Sequence, residues 1–192
     1  VSTNIIRGEN DRPICVCTLD GQKCGACQAA AANRPTLHIT QGLPASGKST
    51  WARAWMSQDP NRVRICRDDL RRMIRGGWTG NRADEDLITA MVTAGIRAAL
   101  LHSRDVVADA THIRPQDLER VIWIARQDKH LARVVLHRWD TRPGPCIQRD
   151  RQRPPGEHVG GDVIWDMYDT WRATMPGHTL LAASVDEVII HE

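Results

Sequence analysis

The 192-residue sequence has no phenylalanine, a single tyrosine and only three lysines. It also has no apolar run approaching the ~20 residues that a membrane-spanning helix needs. That last absence excludes a helical membrane span. With no signal-peptide pattern at the N-terminus, the expectation is a soluble, cytoplasmic protein with no membrane partner. The missing phenylalanine leaves the large aromatic role to seven tryptophans (Trp51, Trp55, Trp78, Trp123, Trp139, Trp165 and Trp171), most of them expected in the core. Lysine scarcity is equally informative. Of 26 basic residues, all but Lys23, Lys48 and Lys129 are arginine, while the formal net charge is only +3. An Arg- and Ala-rich, Lys-poor chain is what a GC-rich genome produces, so the arginines are not read as functional in bulk. A lysine kept within a glycine loop is a different matter.

That loop is Gly42-Leu43-Pro44-Ala45-Ser46-Gly47-Lys48-Ser49-Thr50, which fits G-x-x-x-x-G-K-[ST] without a mismatch. Leu37-His38-Ile39-Thr40 before it reads as a buried strand, and Thr50–Met56 after it has helical spacing. Strand, glycine loop and helix is the context that makes the motif a triphosphate cradle. The glycines let the backbone wrap with its N–H groups inward, the helix N-terminus adds positive potential, and Gly42, Ser46, Gly47 and Thr50 are the loop residues expected around the phosphates. Lys48 would reach the β- and γ-phosphates, and the Ser49 hydroxyl would sit on Mg²⁺.

From Thr36 onward the periodicities alternate. Strands are expected at 37–40, 63–66, 105–109, 133–137 and 185–190. Helices are expected at about 50–57, from 68 to Gly76-Gly77, at 84–102, at about 115–129, near 145–151 and at about 161–174. This predicts an α/β fold of the P-loop NTPase kinase type, with a parallel sheet of about five strands flanked by helices. The domain division is 1–35 and 36–192. The first segment carries Cys15, Cys17, Cys24 and Cys27, four of the six cysteines within 13 residues, on either side of Asp20-Gly21. The preferred reading is a small zinc knuckle; disulfides and a leader with incidental cysteines are the rivals.

Right-handed crossovers put the strand C-terminal ends on the same edge as the glycine loop. There Arg67-Asp68-Asp69-Leu70-Arg71-Arg72 follows the second strand and Asp109-Ala110-Thr111 ends the third. Asp68 reads equally as a base for an alcohol acceptor and as the N-cap of the next helix. Asp109 reads as a metal, water or substrate contact, or as half of a buried ion pair. Arg149 and Arg153, four apart, are expected on one helix face, either as a lid over the phosphates or as a solvated basic face.

These residues together resemble the 5′-kinase domain of the phage T4-type polynucleotide kinases, within the P-loop phosphotransferases. The resemblance runs from about Thr36 to Arg172 and rests on the glycine loop, Arg67–Arg71, Asp109–Pro115, the Arg149/Arg153 pair after Asp140, and Met167-Tyr168. It implies that ATP or another NTP, with Mg²⁺, is the donor and a nucleic acid with a 5′-OH end is the acceptor. Residue by residue, it implies Lys48 and Ser49 on the donor phosphates and Mg²⁺, and Asp68 as general base. Arg71 would lie on the phosphate 3′ to the acceptor nucleoside, Asp109 would orient acceptor groups with Thr111 nearby, and Arg153 and Arg149 would close on the donor. Trp78, in the Gly76–Gly80 loop on the acceptor side, is the tryptophan set apart as a base-stacking residue. Three features depart from the family: Pro154-Pro155 after Arg153, the lack of an aspartate-rich phosphatase domain, and the cysteine-rich front. Two other readings stay open: a P-loop kinase for a nucleoside, small alcohol or hydroxymethylated base, and a zinc-knuckle module that binds nucleotide without transfer.

Overall fold

A computed structural model describes residues 5–7, 13–15, 34–127, 132–154 and 156–191. The chain separates into two compact units, Val1–Arg34 and Pro35–Glu192. In the first, strands β1 (Ile5–Arg7) and β2 (Pro13–Cys15) pair antiparallel, Ile5 opposite Cys15. Cys17, Cys24 and Cys27 lie outside the described residues. The zinc knuckle is therefore not carried further.

The second unit contains β3 (Thr36–Gly42), α1 (Lys48–Ser57), β4 (Arg62–Cys66), α2 (Arg67–Arg75), α3 (Arg82–Leu101), β5 (Asp105–Asp109) and α4 (Pro115–Arg126). It continues with β6 (Arg133–Trp139), α5 (Pro143–Asp150), α6 (Gly161–Ala173), α7 (Met175–Ala182) and β7 (Glu187–His191). The five strands form one parallel sheet in the order β4-β5-β3-β6-β7. β5 and β6 flank β3, and the chain crosses from one side of β3 to the other between them, so the strand order reverses at β3 and leaves a crevice outside its C-terminal end. In open parallel sheets that crevice is where ligands bind.

Period-two alternation sorts the two faces. Leu37 and Ile39 of β3, Val106 and Ala108 of β5, and Val134 and Leu136 of β6 point to one side. There they bury against Ile96, Ala99 and Leu100 of α3 and Leu118, Val121, Ile122 and Ala125 of α4. His38 and Val107 point to the other, toward Ala52 and Trp55 of α1. Because both faces are covered, the strands read as continuous apolar runs. On the α1 side, Trp51, Trp55 and Trp139 gather with His38, His137 and His191. The Trp139 and His191 rings stack at 4.0 Å, and His137 lies within 2.9 Å, nitrogen to nitrogen, of both other imidazoles. Trp171 is also buried, but Trp78, Trp123 and Trp165 are exposed, so only part of the tryptophan set fills the core.

Helix ends follow local chemistry. Asn81 caps α3 by accepting from Ala83 N–H at 2.8 Å, Pro115 opens α4, and Gly76 (φ 75°) closes α2. The helix α7, which holds Pro176 in its first turn, was not among the helices expected. Proline is tolerated in a first turn, and buried His178 anchors the helix. Its Nε2 donates to Ile113 O at 2.6 Å and its Nδ1 accepts from Gln41 Nε2 at 3.0 Å. Among the described residues, no helix is long and apolar enough to cross a membrane.

Candidate active site

The glycine loop leaves β3 at the centre of the sheet. Gly42 (φ 148°) sits where a Cβ would lie 2.8 Å from Trp139 O, and its N–H donates to Thr111 O at 3.0 Å. Gly47 (φ 108°) then opens α1 with no side-chain cap and no acidic residue in the first turn. The helix N-terminus is thereby left bare for an anion. Ser46 is buried, and Thr50 stands exposed in the first turn of α1. Lys48 is buried, and its Nζ donates to Leu43 O and, at 3.1 Å, to Ser46 Oγ. Burial pushes this ammonium down to about 8, a fall only partly opposed by Asp109. A buried cation whose hydrogen-bond partners are neutral loop groups is a cation prepared for phosphate.

Asp109 ends β5 beside the loop, 3% exposed. Its Oδ1 accepts from Ser49 Oγ at 3.1 Å, and its Oδ2 accepts from Arg64 Nε at 2.8 Å, with Arg64 Nη2 in ion contact at 2.6 Å. Asp109 is therefore half of a buried ion pair, and its other oxygen holds the Ser49 hydroxyl of the glycine loop. Thr111 lies near by, its carbonyl engaged with Gly42. The Ser49 hydroxyl and the Asp109 carboxylate are adjacent hard oxygen donors, the ligand type that Mg²⁺ takes.

Asp68 and Asp69 occupy the first turn of α2, where the N-cap is Cys66 with no side-chain cap bond. The capping reading of Asp68 is therefore set aside. Asp68 is exposed and its Oδ1 accepts from Arg71 Nη1 at 2.5 Å. Burial opposes ionisation of Asp69, but Arg64 (2.5 Å) and Arg72 outweigh it and hold that carboxyl below its ordinary value. Arg71 is gripped from behind by Glu85, with Nε to Oε1 at 2.8 Å and Nη2 to Oε2 at 2.7 Å. Glu85 also accepts from Arg67 at 2.8 Å. The hydrogen bond from Arg71, and then that from Arg67, push the Glu85 carboxyl down to about 2.

Over the loop, Arg149 in the last turn of α5 reaches Ser46 O at 3.5 Å. The expected shared helix face of Arg149 and Arg153 does not form. The helix α5 ends at Asp150, and Pro154 disfavours helical backbone at Arg153. Arg153 lies in the following turn, with its Nη1 at 3.3 Å from Asp150 and 3.4 Å from Glu157 O. It remains near enough to lower the Lys48 ammonium. Buried Asp150 also accepts from Val159 N and Gly160 N at 3.0 Å, which ties the 151–160 segment back onto α5.

The sequence pattern missed Arg64, Glu85 and Asp150. Arg64 was one of 23 arginines in the chain, and Glu85 and Asp150 were given no role. A signal existed only for Arg64, a charged residue inside the apolar strand 63–66.

The model of the AAA domain family matches residues 37–176. One chain from a structure of the Pnkp1/Rnl/Hen1 RNA repair complex is 28% identical with a TM-score of 0.66, over 74% of this chain and 46% of that one. A chain from a second structure of the Pnkp1/Rnl/Hen1 complex is 32% identical (TM-score 0.54), over 60% of this chain and 39% of that one. This chain therefore spans less than half the length of those two. A putative kinase from Chloroflexus aurantiacus j-10-fl shares the fold at 17% identity and a TM-score of 0.54, over 72% of this chain and 79% of that one. With its glycine loop at the reversal point of a five-stranded parallel sheet, the chain has the fold of the P-loop kinases and belongs to the AAA domain family.

Proposed function

We propose that this domain transfers the γ-phosphate of ATP to the 5′-hydroxyl end of a nucleic acid. The donor half is the loop. Gly42, Ser46, Gly47 and Thr50 line the phosphate cradle, Lys48 neutralises the β- and γ-oxygens, and Arg149 and Arg153 cover them. Ser49 and Asp109 would hold Mg²⁺, which supplies charge neutralisation on the same oxygens when bound. The acceptor half is the first turn of α2. Asp68 orients the 5′-hydroxyl and takes its proton as the new O–P bond forms and the β–γ bridging bond breaks to release ADP. Arg71 stabilises negative charge one turn further along.

One observation carries the choice of a polynucleotide over a small alcohol. Arg71 is held in place by two carboxylates, Glu85 and Asp68, one turn beyond the base. Three of the five N–H donors of its guanidinium are engaged there, which leaves two for a ligand. A plain nucleoside or sugar alcohol has no anion to present at that distance from its reacting hydroxyl, whereas a nucleotide inside a strand carries a 3′-phosphate. The likeness to chains of an RNA repair complex supports the same reading. The zinc-knuckle binding-module reading has no support among the described residues.

The test is γ-phosphate transfer to a 5′-OH DNA oligonucleotide, a 5′-OH RNA oligonucleotide, a nucleoside 3′-monophosphate and a nucleoside. Arg71→Ala is expected to lower kcat/KM for the three phosphate-bearing substrates by about 10- to 100-fold, with little change for the nucleoside. Equal losses on all four would refute the polynucleotide assignment. Asp68→Asn should abolish transfer while leaving ATP binding intact.

A further inference from the structure

Trp78 sits in the segment 76–81 that joins α2 to α3, and it is 67% exposed. No core requires it there. The segment around it is nonetheless firmly held. Gly76 N–H donates to Arg72 O at 2.9 Å, Thr79 Oγ1 donates to buried Asp84 at 3.0 Å, and Asn81 N–H donates to Thr79 Oγ1 at 3.2 Å. Arg75 adds a bond to the same Asp84 at 3.2 Å. An exposed indole is thus presented by an anchored turn, a costly way to hold apolar surface in water unless a ligand covers it.

Its neighbour identifies the ligand. The Arg71 guanidinium carbon lies 5.1 Å from the Trp78 ring centroid, in cation–π contact. Arg71 in turn is 2.5 Å from Asp68. Base, arginine and indole therefore follow one another across the mouth. We infer that Trp78 is a stacking platform for a nucleobase of the acceptor strand, placed beside the Arg71 that receives the adjoining phosphate. This rests on the polynucleotide reading and sharpens it to a single-stranded, unpaired 5′ end. All four bases have a π-face, so the platform confers preference for a strand without preference for its sequence. Were Trp78 only a cover that holds Arg71 in place, its loss would weaken every substrate that uses Arg71, with or without a base.

A cycle of one protein change and one substrate change separates these cases. Wild type and Trp78→Ala are compared on 5′-OH oligonucleotides that carry either normal bases or abasic residues at the two 5′-terminal positions, by KM for transfer and by Kd from fluorescence anisotropy. Removal of the indole is expected to weaken the normal strand by roughly 5- to 150-fold. It should leave the abasic strand nearly unchanged, and Trp78→Tyr should restore most of the loss. ATP affinity should stay at the wild-type value throughout. Equal weakening of both strands, or no weakening of either, overturns the platform. The kinase reading fails separately, if wild type binds these strands but phosphorylates none; the Kd cycle then still decides the stacking.

Discussion

Raising the pH from 7 to 9 discharges Lys48 in the free domain but not in its triphosphate complex. Burial lowers this ammonium from 10.5 to about 8. At 1.36 kcal/mol per unit, keeping it charged inside the free fold costs roughly 3 kcal/mol. For a base with a lowered pKa, that cost is full below pH 8 and disappears as the pH rises from 8 to 10.5. A bound triphosphate places negative charge against Nζ and returns its pKa upward. Binding must then take up a proton, about 0.5 per site at pH 8 and about 0.9 at pH 9, and affinity should approach a tenfold loss per further pH unit. ATP is itself fully ionised in this range, so the lysine dominates the signal. Calorimetric titration at pH 8 and pH 9, each in two buffers of different ionisation enthalpy, reads the uptake directly. Lys48→Met should bind more weakly and show no uptake. Equal heats in both buffers at pH 9 for the wild type would refute the reasoning, because Lys48 would then already be charged without its ligand.

Asp109→Asn leaves the buried Arg64 without its carboxylate, and denaturant unfolding should show a loss of about 3–5 kcal/mol. The pair replacement Arg64→Met/Asp109→Leu should regain much of that stability yet remain inactive, which separates the structural role of Asp109 from its contact with Ser49. Glu85→Gln should lower stability at pH 7 by about 1–3 kcal/mol. Because Arg71 and Arg67 depress Glu85 to about 2, its contribution is complete above its unfolded value near 4.5 and is lost as the pH falls through 2. Unfolding curves of wild type and variant should therefore converge between those limits. Gly42→Ala drives a Cβ to 2.8 Å from the Trp139 carbonyl at a φ of 148°, so it should cost at least about 2 kcal/mol and weaken ATP binding. Gly47→Ala, with only the Trp139 indole nitrogen at 3.8 Å, should cost mainly the backbone strain of about 1 kcal/mol.

Local chemistry made much of this protein legible from its sequence. The glycine loop, the strand before it and the helix after it are neighbours along the chain, so their geometry follows from residue types at fixed offsets. The five strands were visible because both faces of the sheet are covered, which makes each strand a short apolar run. Whatever depended on distant residues meeting in space was decided by the tertiary structure. Glu85 behind Arg71, Arg64 across Asp109, and Asp109 on Ser49 join residues 14, 45 and 60 positions apart, and no periodicity encodes such separations. Helix α7 went unread because His178, which anchors it, is held by Gln41 and Ile113 on distant parts of the chain. The sequence by itself determined a triphosphate loop and the order of elements around it. Only the packed sheet decided which carboxylate meets Ser49, which arginine Glu85 holds, and which tryptophan is left standing in solvent beside it.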